Sequence, residues 1–234
     1  MNVADVTFVV IAKEPVPGRV KTRLTPAYTP EQAAELAEAS LTDTLTTVVS
    51  VPAADRVLAL DGNPGPWLPP GFRVLPQRGD GLDERLAAAF DDAWTGRPLV
   101  LIGMDTPQVT PAVLERAAAA LGTHDAVFGP AEDGGFWLLG LARPDPALLA
   151  GVPMSRPYTG QVQLHRLRVM HLRVAFLPRL TDVDTATDAG AVAAAAPNGR
   201  FAAAVRRMRP GRARQEPSRQ EPDEWAREGL VVRT

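Results

Sequence analysis

The densest chemistry in the sequence lies in Ala12–Arg23, AKEPVPGRVKTR. Arg19, Lys21 and Arg23 fall on alternate positions after Gly18, so an extended backbone turns all three toward one side. Gly18 lets the main chain approach a ligand closely. Together these features suit a diphosphate or triphosphate. They predict that Ala12, Lys13, Pro17, Gly18, Arg19, Lys21 and Arg23 form the phosphate end of a nucleotide site. The spacing is not that of a P-loop. Of 25 basic residues only Lys13 and Lys21 are lysines, both in this segment, where a compact ammonium differs from a planar guanidinium. The competing reading is a solvated basic loop.

Four acidic or glycine-rich segments complete the inventory. Gly103-x-Asp105-x-Pro107 puts a carboxylate just past an apolar run, where a hard cation such as Mg²⁺ or Mn²⁺ would find an oxygen ligand. Its bland reading is a turn residue before Pro107. Asp182-Val183-Asp184, with Asp188 beyond, supplies the second carboxylate; Thr185 is free to cap the next helix and leaves Asp184 available. In Pro76–Gly81, Gln77 is placed to read the edge of a base, with Gly79 and Gly81 permitting close packing against it; a strand–helix turn explains the same residues. Glu132-Asp133-Gly134-Gly135-Phe136-Trp137 suits an acceptor pocket formed by Glu132, Asp133, Gly134, Gly135 and Trp137. Asp133, or else Glu132, is the candidate general base. The alternative is a β-turn whose aromatics belong to the core.

Composition narrows the classes. The chain has 234 residues, 45% hydrophobic and 22% charged, enough for one domain with a substantial core. It has no cysteine, which excludes thiol nucleophiles, disulfides and iron–sulfur clusters. No membrane-length apolar run and no leader pattern is visible, so a cytoplasmic protein without membrane insertion is expected. The net charge of −2 hides a basic end: nine Arg face five acidic residues from Pro197 onward. That end mixes signs and the remainder is acidic, so no nucleic-acid partner is expected.

The positioning elements follow from pattern. Val6–Ile11 is a continuous apolar strand of the kind buried in parallel sheets. Thr29-Pro30-Glu31-Gln32 is a capping box opening a helix to about Ser50. Further strands are expected at Arg56–Leu60, Phe72–Leu75, Pro98–Ile102, Asp125–Phe128, Phe136–Leu141 and Arg173–Leu177. Helices are expected at Leu82–Trp94, from Thr110 to about Leu121, near Val162–Val169, and in the Ala-rich stretch after Thr185. The alternation argues for a single α/β domain over 1–208 on a mainly parallel, mixed sheet flanked by helices. Residues 209–234, poor in apolar side chains, read as a disordered tail with a short helix near Trp225. In such a sheet, ligands bind beyond the carboxyl ends of the strands, where four of these polar segments fall.

The order AKxPxPGxxKTRL, Gln77…Gly79-Asp80-Gly81, Gly-x-Asp-Thr-Pro, GPAEDGGFWLLGL and DVDT resembles the rSAM/selenodomain-associated transferase family. The resemblance covers about residues 5–195. It implies the GT-A, or nucleotide-diphospho-sugar transferase, fold and a glycosyltransferase-like activity. It also implies that Asp105 stands at the metal-binding aspartate of GT-A enzymes and that Asp184 completes the metal site of related nucleotidyltransferases. The chain departs from the pattern in two places. The GT-A Asp-x-Asp is reduced to Asp105 alone, and Pro153–Pro157 replaces a Trp-containing motif of many relatives, which marks a different acceptor.

Two reactions fit. In glycosyl transfer from a nucleotide-sugar, Asp105 through a divalent metal neutralises the leaving diphosphate, Arg19 and Lys21 assist, and Asp133 deprotonates a small acceptor. In nucleotidyl transfer, a phosphorylated acceptor attacks the α-phosphate of a nucleoside triphosphate; the basic loop suits this. The KTRL and DVDT pair also resembles phospholactate and phosphoenolpyruvate guanylyltransferases. The expectation leads with glycosyl transfer. A non-catalytic nucleotide-binding protein is the third possibility. Donor, acceptor and oligomeric state are not readable from the sequence.

Overall fold

The computed structural model describes residues 3–208. The expected tail, 209–234, and its helix near Trp225 lie outside the described residues. The strands are β1 (Thr7–Lys13), β2 (Asp55–Asp61), β3 (Arg73–Pro76), β4 (Leu99–Gly103), β5 (Ala126–Pro130), β6 (Phe136–Leu141) and β7 (Val174–Phe176). The helices are α1 (Pro30–Ser50), α2 (Leu82–Ala93), α3 (Pro111–Ala120), α4 (Thr159–Val169), α5 (Ala186–Ala195) and α6 (Arg200–Arg207).

The seven strands form one sheet in the order β3-β2-β1-β4-β6-β5-β7. β1 pairs parallel with both β2 and β4, so the strand order reverses direction there. β6 runs antiparallel to β4 and β5, which makes the sheet mixed. This is the expected single α/β domain.

Strand β1 explains why its sequence is apolar without a break. Phe8 and Val10 pack on one face with α1 and α3, while Val9 enters the opposite face with α2. A strand covered on both sides has no solvent face to make polar. Helix α1 begins where its cap dictates: Gln32 N donates to Thr29 Oγ1 at 3.2 Å, and Thr29 N donates to Gln32 Oε1 at 2.9 Å. The Ala-rich stretch after Thr185 is two helices rather than the one expected. Pro197–Gly199 interrupts it, and Asp43 of α1 accepts from the amides of Arg200 (3.0 Å) and Phe201 (2.9 Å), opening α6. A long-range cap of this kind leaves no local signal.

A smaller apolar cluster unites Leu24, Tyr28, Leu36, Val183, Val192 and Phe201. Leu24 and Val183 are each about 1% exposed, and each adjoins a charged site residue. Burying such side chains contributes roughly 1.5–3 kcal/mol apiece. Among the described residues no helix is long and apolar enough to cross a membrane.

Candidate functional site

A cleft of about 450 Å³ opens at the carboxyl ends of β1 and β4. This is the switch point of the sheet, where two neighbouring connections leave in opposite directions and make room for a ligand. Ala12, Lys13, Arg19, Lys21, Arg23, Gln77, Asp105, Asp133, Gly135, Trp137 and Asp184 all line it. Pro17, Gly18, Gly79, Gly81, Glu132 and Gly134 do not.

The first loop departs from the extended geometry on which its alternation was read. Lys21 adopts a left-handed conformation (φ 52°), and Thr22–Leu24 forms a 3-10 turn. The three basic side chains therefore diverge. Lys21 points inward with a side chain only 6% exposed, while that of Arg23 is 69% exposed. Arg19 also stays at the surface. Gly18 (φ 76°) takes a left-handed turn conformation that favours glycine, with open space in its Cβ direction.

Lys21 Nζ lies 2.7 Å from Asp105 Oδ1 and 3.7 Å from Asp184 Oδ1, and it donates to the Val183 carbonyl. Arg23 reaches Asp184 Oδ2 at 3.0 Å. Ser40, buried in α1, donates to the Met104 carbonyl at 2.7 Å and so fixes the loop that carries Asp105. Leu24 and Val183, sunk in the same apolar cluster, hold Arg23 and Asp184 face to face. Thr185 and Asp188 form their own capping box at α5, which commits Asp188 to the helix end.

A third carboxylate, Asp182, which the sequence reading left without a role, also lines the cleft. Burial pushes its carboxyl up to about 7; repulsion from Asp105, Asp133 and Asp184 adds to this, and Lys21 opposes it. Its signal was present in the Asp-Val-Asp pair, but the crowding arises only when β4, the 131–135 turn and the 181–185 segment meet.

Four of the expected binding residues also have structural partners. The Gln77 amide NH₂ donates to the carbonyls of Ala12 (2.8 Å) and Ala59 (3.0 Å) and so ties together the ends of β1 and β2 at the edge of the cleft. Gly79 (φ 114°) and Gly81 build the strand–helix turn, where Arg85 Nε donates to the Gly79 carbonyl at 3.1 Å. Trp137 is 2% exposed, and its indole N–H donates to the Pro178 carbonyl at 3.1 Å, which makes it a wall of the core.

The 132–135 turn splits by role. Asp133 accepts from Gly135 N at 2.8 Å and lines both the cleft and a side pocket of about 210 Å³ shared with Thr181, Asp182, Asp184 and Asp188, whereas Glu132 lines the side pocket and not the cleft. Gly134 and Gly135 serve backbone packing. A Cβ on Gly134 would lie 1.9 Å from the Pro157 carbonyl oxygen, and one on Gly160 would lie 2.7 Å from that of Gly135. Gly160 N donates to the Gly134 carbonyl at 2.8 Å. This contact delivers Met154, Ser155, Arg156 and Thr159 to the cleft, a wall the sequence reading did not assign to it. Thr159 Oγ1 donates to the Pro153 carbonyl at 2.7 Å and accepts from Arg156 N at 3.0 Å, and Ser155 sits at φ 55°. Ile11, Leu82, Leu86, Leu101 and Phe136 supply the apolar part of the cleft.

Among the described residues no group of three or more His, Cys, Asp or Glu is arranged to hold a divalent cation. Asp105 and Asp184 nevertheless converge on a single positive atom, Lys21 Nζ. Two carboxylates fit a Mg²⁺-like ion that takes its remaining ligands from water and phosphates, but not one caged by protein alone.

Comparison with known proteins agrees with this architecture. No curated protein matches the sequence. A solved protein from Desulfovibrio desulfuricans G20, provisionally named a nucleotide-diphospho-sugar transferase, is 28% identical with a TM-score of 0.78, covering 88% of this chain and 95% of that one. More distant is CMP:2-keto-3-deoxy-manno-octonic acid synthetase complexed with CTP, at 13% identity and TM-score 0.54 over 82% of this chain and 98% of that one. Rv0371c from Mycobacterium tuberculosis H37Rv, complexed with manganese, stands at 20% and 0.51 over 80% and 97%. These likenesses identify a GT-A-like, nucleotidyltransferase-like fold. Residues 33–156 match the family described as uncharacterized protein conserved in bacteria (DUF2064), and the chain belongs to that family.

Proposed function

We propose that the protein is a nucleotide-dependent transferase that moves a sugar from a nucleoside diphosphate sugar to a small acceptor. The observation that carries this reading is the pairing of Lys21 with Asp105 and Asp184 at the sheet's switch point. It puts a cation-binding carboxylate pair and a basic loop in one cleft. Lys21 and Arg23 are already neutralised by carboxylates, which leaves Arg19 and Lys13 as the uncommitted charges of that loop.

Asp105 and Asp184 would hold a Mg²⁺ or Mn²⁺ ion together with the phosphates. When bound, such an ion supplies Lewis-acid neutralisation of the departing diphosphate. Arg19 adds hydrogen bonds to the same oxygens. Asp133, with one oxygen oriented by Gly135 N and the cleft in front of it, takes the proton of the acceptor hydroxyl; Glu132, in the side pocket, does not. The wall from Met154 to Thr159 and the apolar patch at Leu82 and Phe136 enclose the acceptor. The relative from D. desulfuricans supports the donor class by its name, and the manganese bound to Rv0371c supports the metal.

Nucleotidyl transfer is the second reading, and one observation favours it. The Arg23–Asp184 pair is a surface pair worth about 0–1 kcal/mol, so Arg23 is free to turn to a third phosphate. The synthetase solved with CTP has the same fold. Residues 1–208 are proposed as the transferase domain and the cytoplasm as its location.

Thermal melting with Mn²⁺ and a panel of nucleotides separates the readings. Stabilisation by one nucleoside diphosphate and its sugar conjugate is expected. Selective stabilisation by an intact triphosphate would move the assignment to nucleotidyl transfer, and no response to any nucleotide would end both.

A further inference from the structure

The carboxylate pair assigned to the metal already holds a cation of the chain's own. Lys21 Nζ is bound by Asp105 Oδ1 at 2.7 Å and by the Val183 carbonyl, with Asp184 Oδ1 at 3.7 Å. Its side chain is 6% exposed, while both acids remain about a third open to the cleft (39% and 34%). The backbone is bent to achieve this. Lys21 takes φ 52°, a conformation that costs a non-glycine residue energy, and so aims inward between two arginines that stay at the surface. Strain spent on turning one ammonium into a two-carboxylate site points to a role for that ammonium beyond general attraction of phosphate.

An ammonium and a divalent ion compete for the Oδ1 atoms of Asp105 and Asp184. Both are compact cations, and their repulsion at such separations is large in a partly buried site. An ammonium driven out without a new partner would also be left as an uncompensated charge.

We propose that Lys21 is a resident counter-cation, exchanged rather than joined when the site loads. Lys21 holds Asp105 and Asp184 in the metal-free protein. It leaves them as a metal–nucleotide complex binds, and its ammonium passes to the phosphates that arrive with the ion. Every buried charge is then partnered before and after. This inference rests on the reading of Asp105 and Asp184 as metal ligands. It adds that the donor is taken as its metal complex and that bare metal binds poorly, because no phosphate is present to receive Lys21.

The test is Mn²⁺ titration of the purified full chain without nucleotide, following free Mn²⁺ by electron paramagnetic resonance. Circular dichroism monitors folding. Lys21→Met keeps the length and removes the charge; it should bind Mn²⁺ at least about tenfold more tightly than wild type. Lys21→Arg, which keeps the charge, should remain weak. Adding Asp105→Asn to Lys21→Met should erase the gain. Equal or weaker binding by Lys21→Met, no binding by either protein, or the same gain in Lys21→Arg would each overturn the exchange. Wild type supplies a check that needs no variant: pyrophosphate should strengthen its retention of Mn²⁺, and retention equal with and without pyrophosphate also overturns it. The nucleotide melting panel fails or succeeds separately. A nucleotide response with no effect of Lys21→Met sinks only the exchange, whereas a Mn²⁺ gain without any nucleotide response sinks the transferase.

Discussion

The amide of Val183 donates to the carbonyl of Asp105 over 3.0 Å, so the two loops that carry the acids Asp105 and Asp184 are joined through backbone. Side chains can be changed there without parting the loops. Asp105→Asn is therefore expected to fold, with a melting temperature lowered by a few degrees because Lys21 loses its nearest carboxylate. Its stabilisation by Mn²⁺ and nucleotide should vanish. Calorimetric titration of the variant checks this, and an unchanged nucleotide affinity would place the metal elsewhere.

Arg19 and Arg156 sit in different parts of the cleft, and no ion pair is found for either among the described residues. Arg19→Ala should weaken nucleotide binding about tenfold, the loss of a charge-assisted phosphate contact. Arg156→Ala should leave nucleotide affinity unchanged and alter only the response to acceptors. Equal losses in both variants would mean that the nucleotide spans the whole cleft.

Gly134 has no room for a side chain. Its φ of 88° and the 1.9 Å approach of the Pro157 carbonyl to a built Cβ make Gly134→Ala destabilising by about 2–4 kcal/mol, backbone strain added to overpacking. Urea unfolding measures it. A cost below about 1 kcal/mol would mean that the 153–159 wall moves away freely.

Acid stability should carry the mark of Asp125. Its hydrogen bonds from the Arg173 side chain and amide hold its carboxyl down at about 2, against an ordinary 3.8. A depressed folded pKa stabilises the fold fully above the unfolded value, and that contribution is lost as pH falls from about 4 toward 2. The pair fixes the entry to β7. Asp125→Asn should flatten the decline of melting temperature in that window. A decline as steep as in wild type would assign the acid sensitivity to other carboxylates.

Much of this framework was legible from residue pattern. The unbroken apolar run at Val6–Ile11, the Thr29–Gln32 capping box and the Gly-x-Asp-Thr-Pro turn are local signals, and the elements they predict are present within a residue or two. The positions of Lys21, Asp105 and Asp184 at strand ends followed from topology. What escaped depended on contacts distant in sequence. The inward turn of Lys21 is set by carboxylates 84 and 163 residues away, as their numbers show. The burial and, after it, the crowding of carboxylates that lift Asp182 need three loops at once. The use of Gln77 as a backbone clasp and of Gly134 as a docking point is invisible until strand ends and α4 are in place. Glycines and glutamines look alike in sequence whether they face a ligand or a carbonyl.

The wall at 153–159 has a consequence for acceptor choice in the proposed reaction. Its frame is carried by main-chain contact at Gly134, Gly135 and Gly160, while Met154, Ser155 and Arg156 project from that frame into the cleft. In the proposed reaction, replacing these three side chains should change which acceptor is admitted while leaving the phosphate-facing half of the cleft intact.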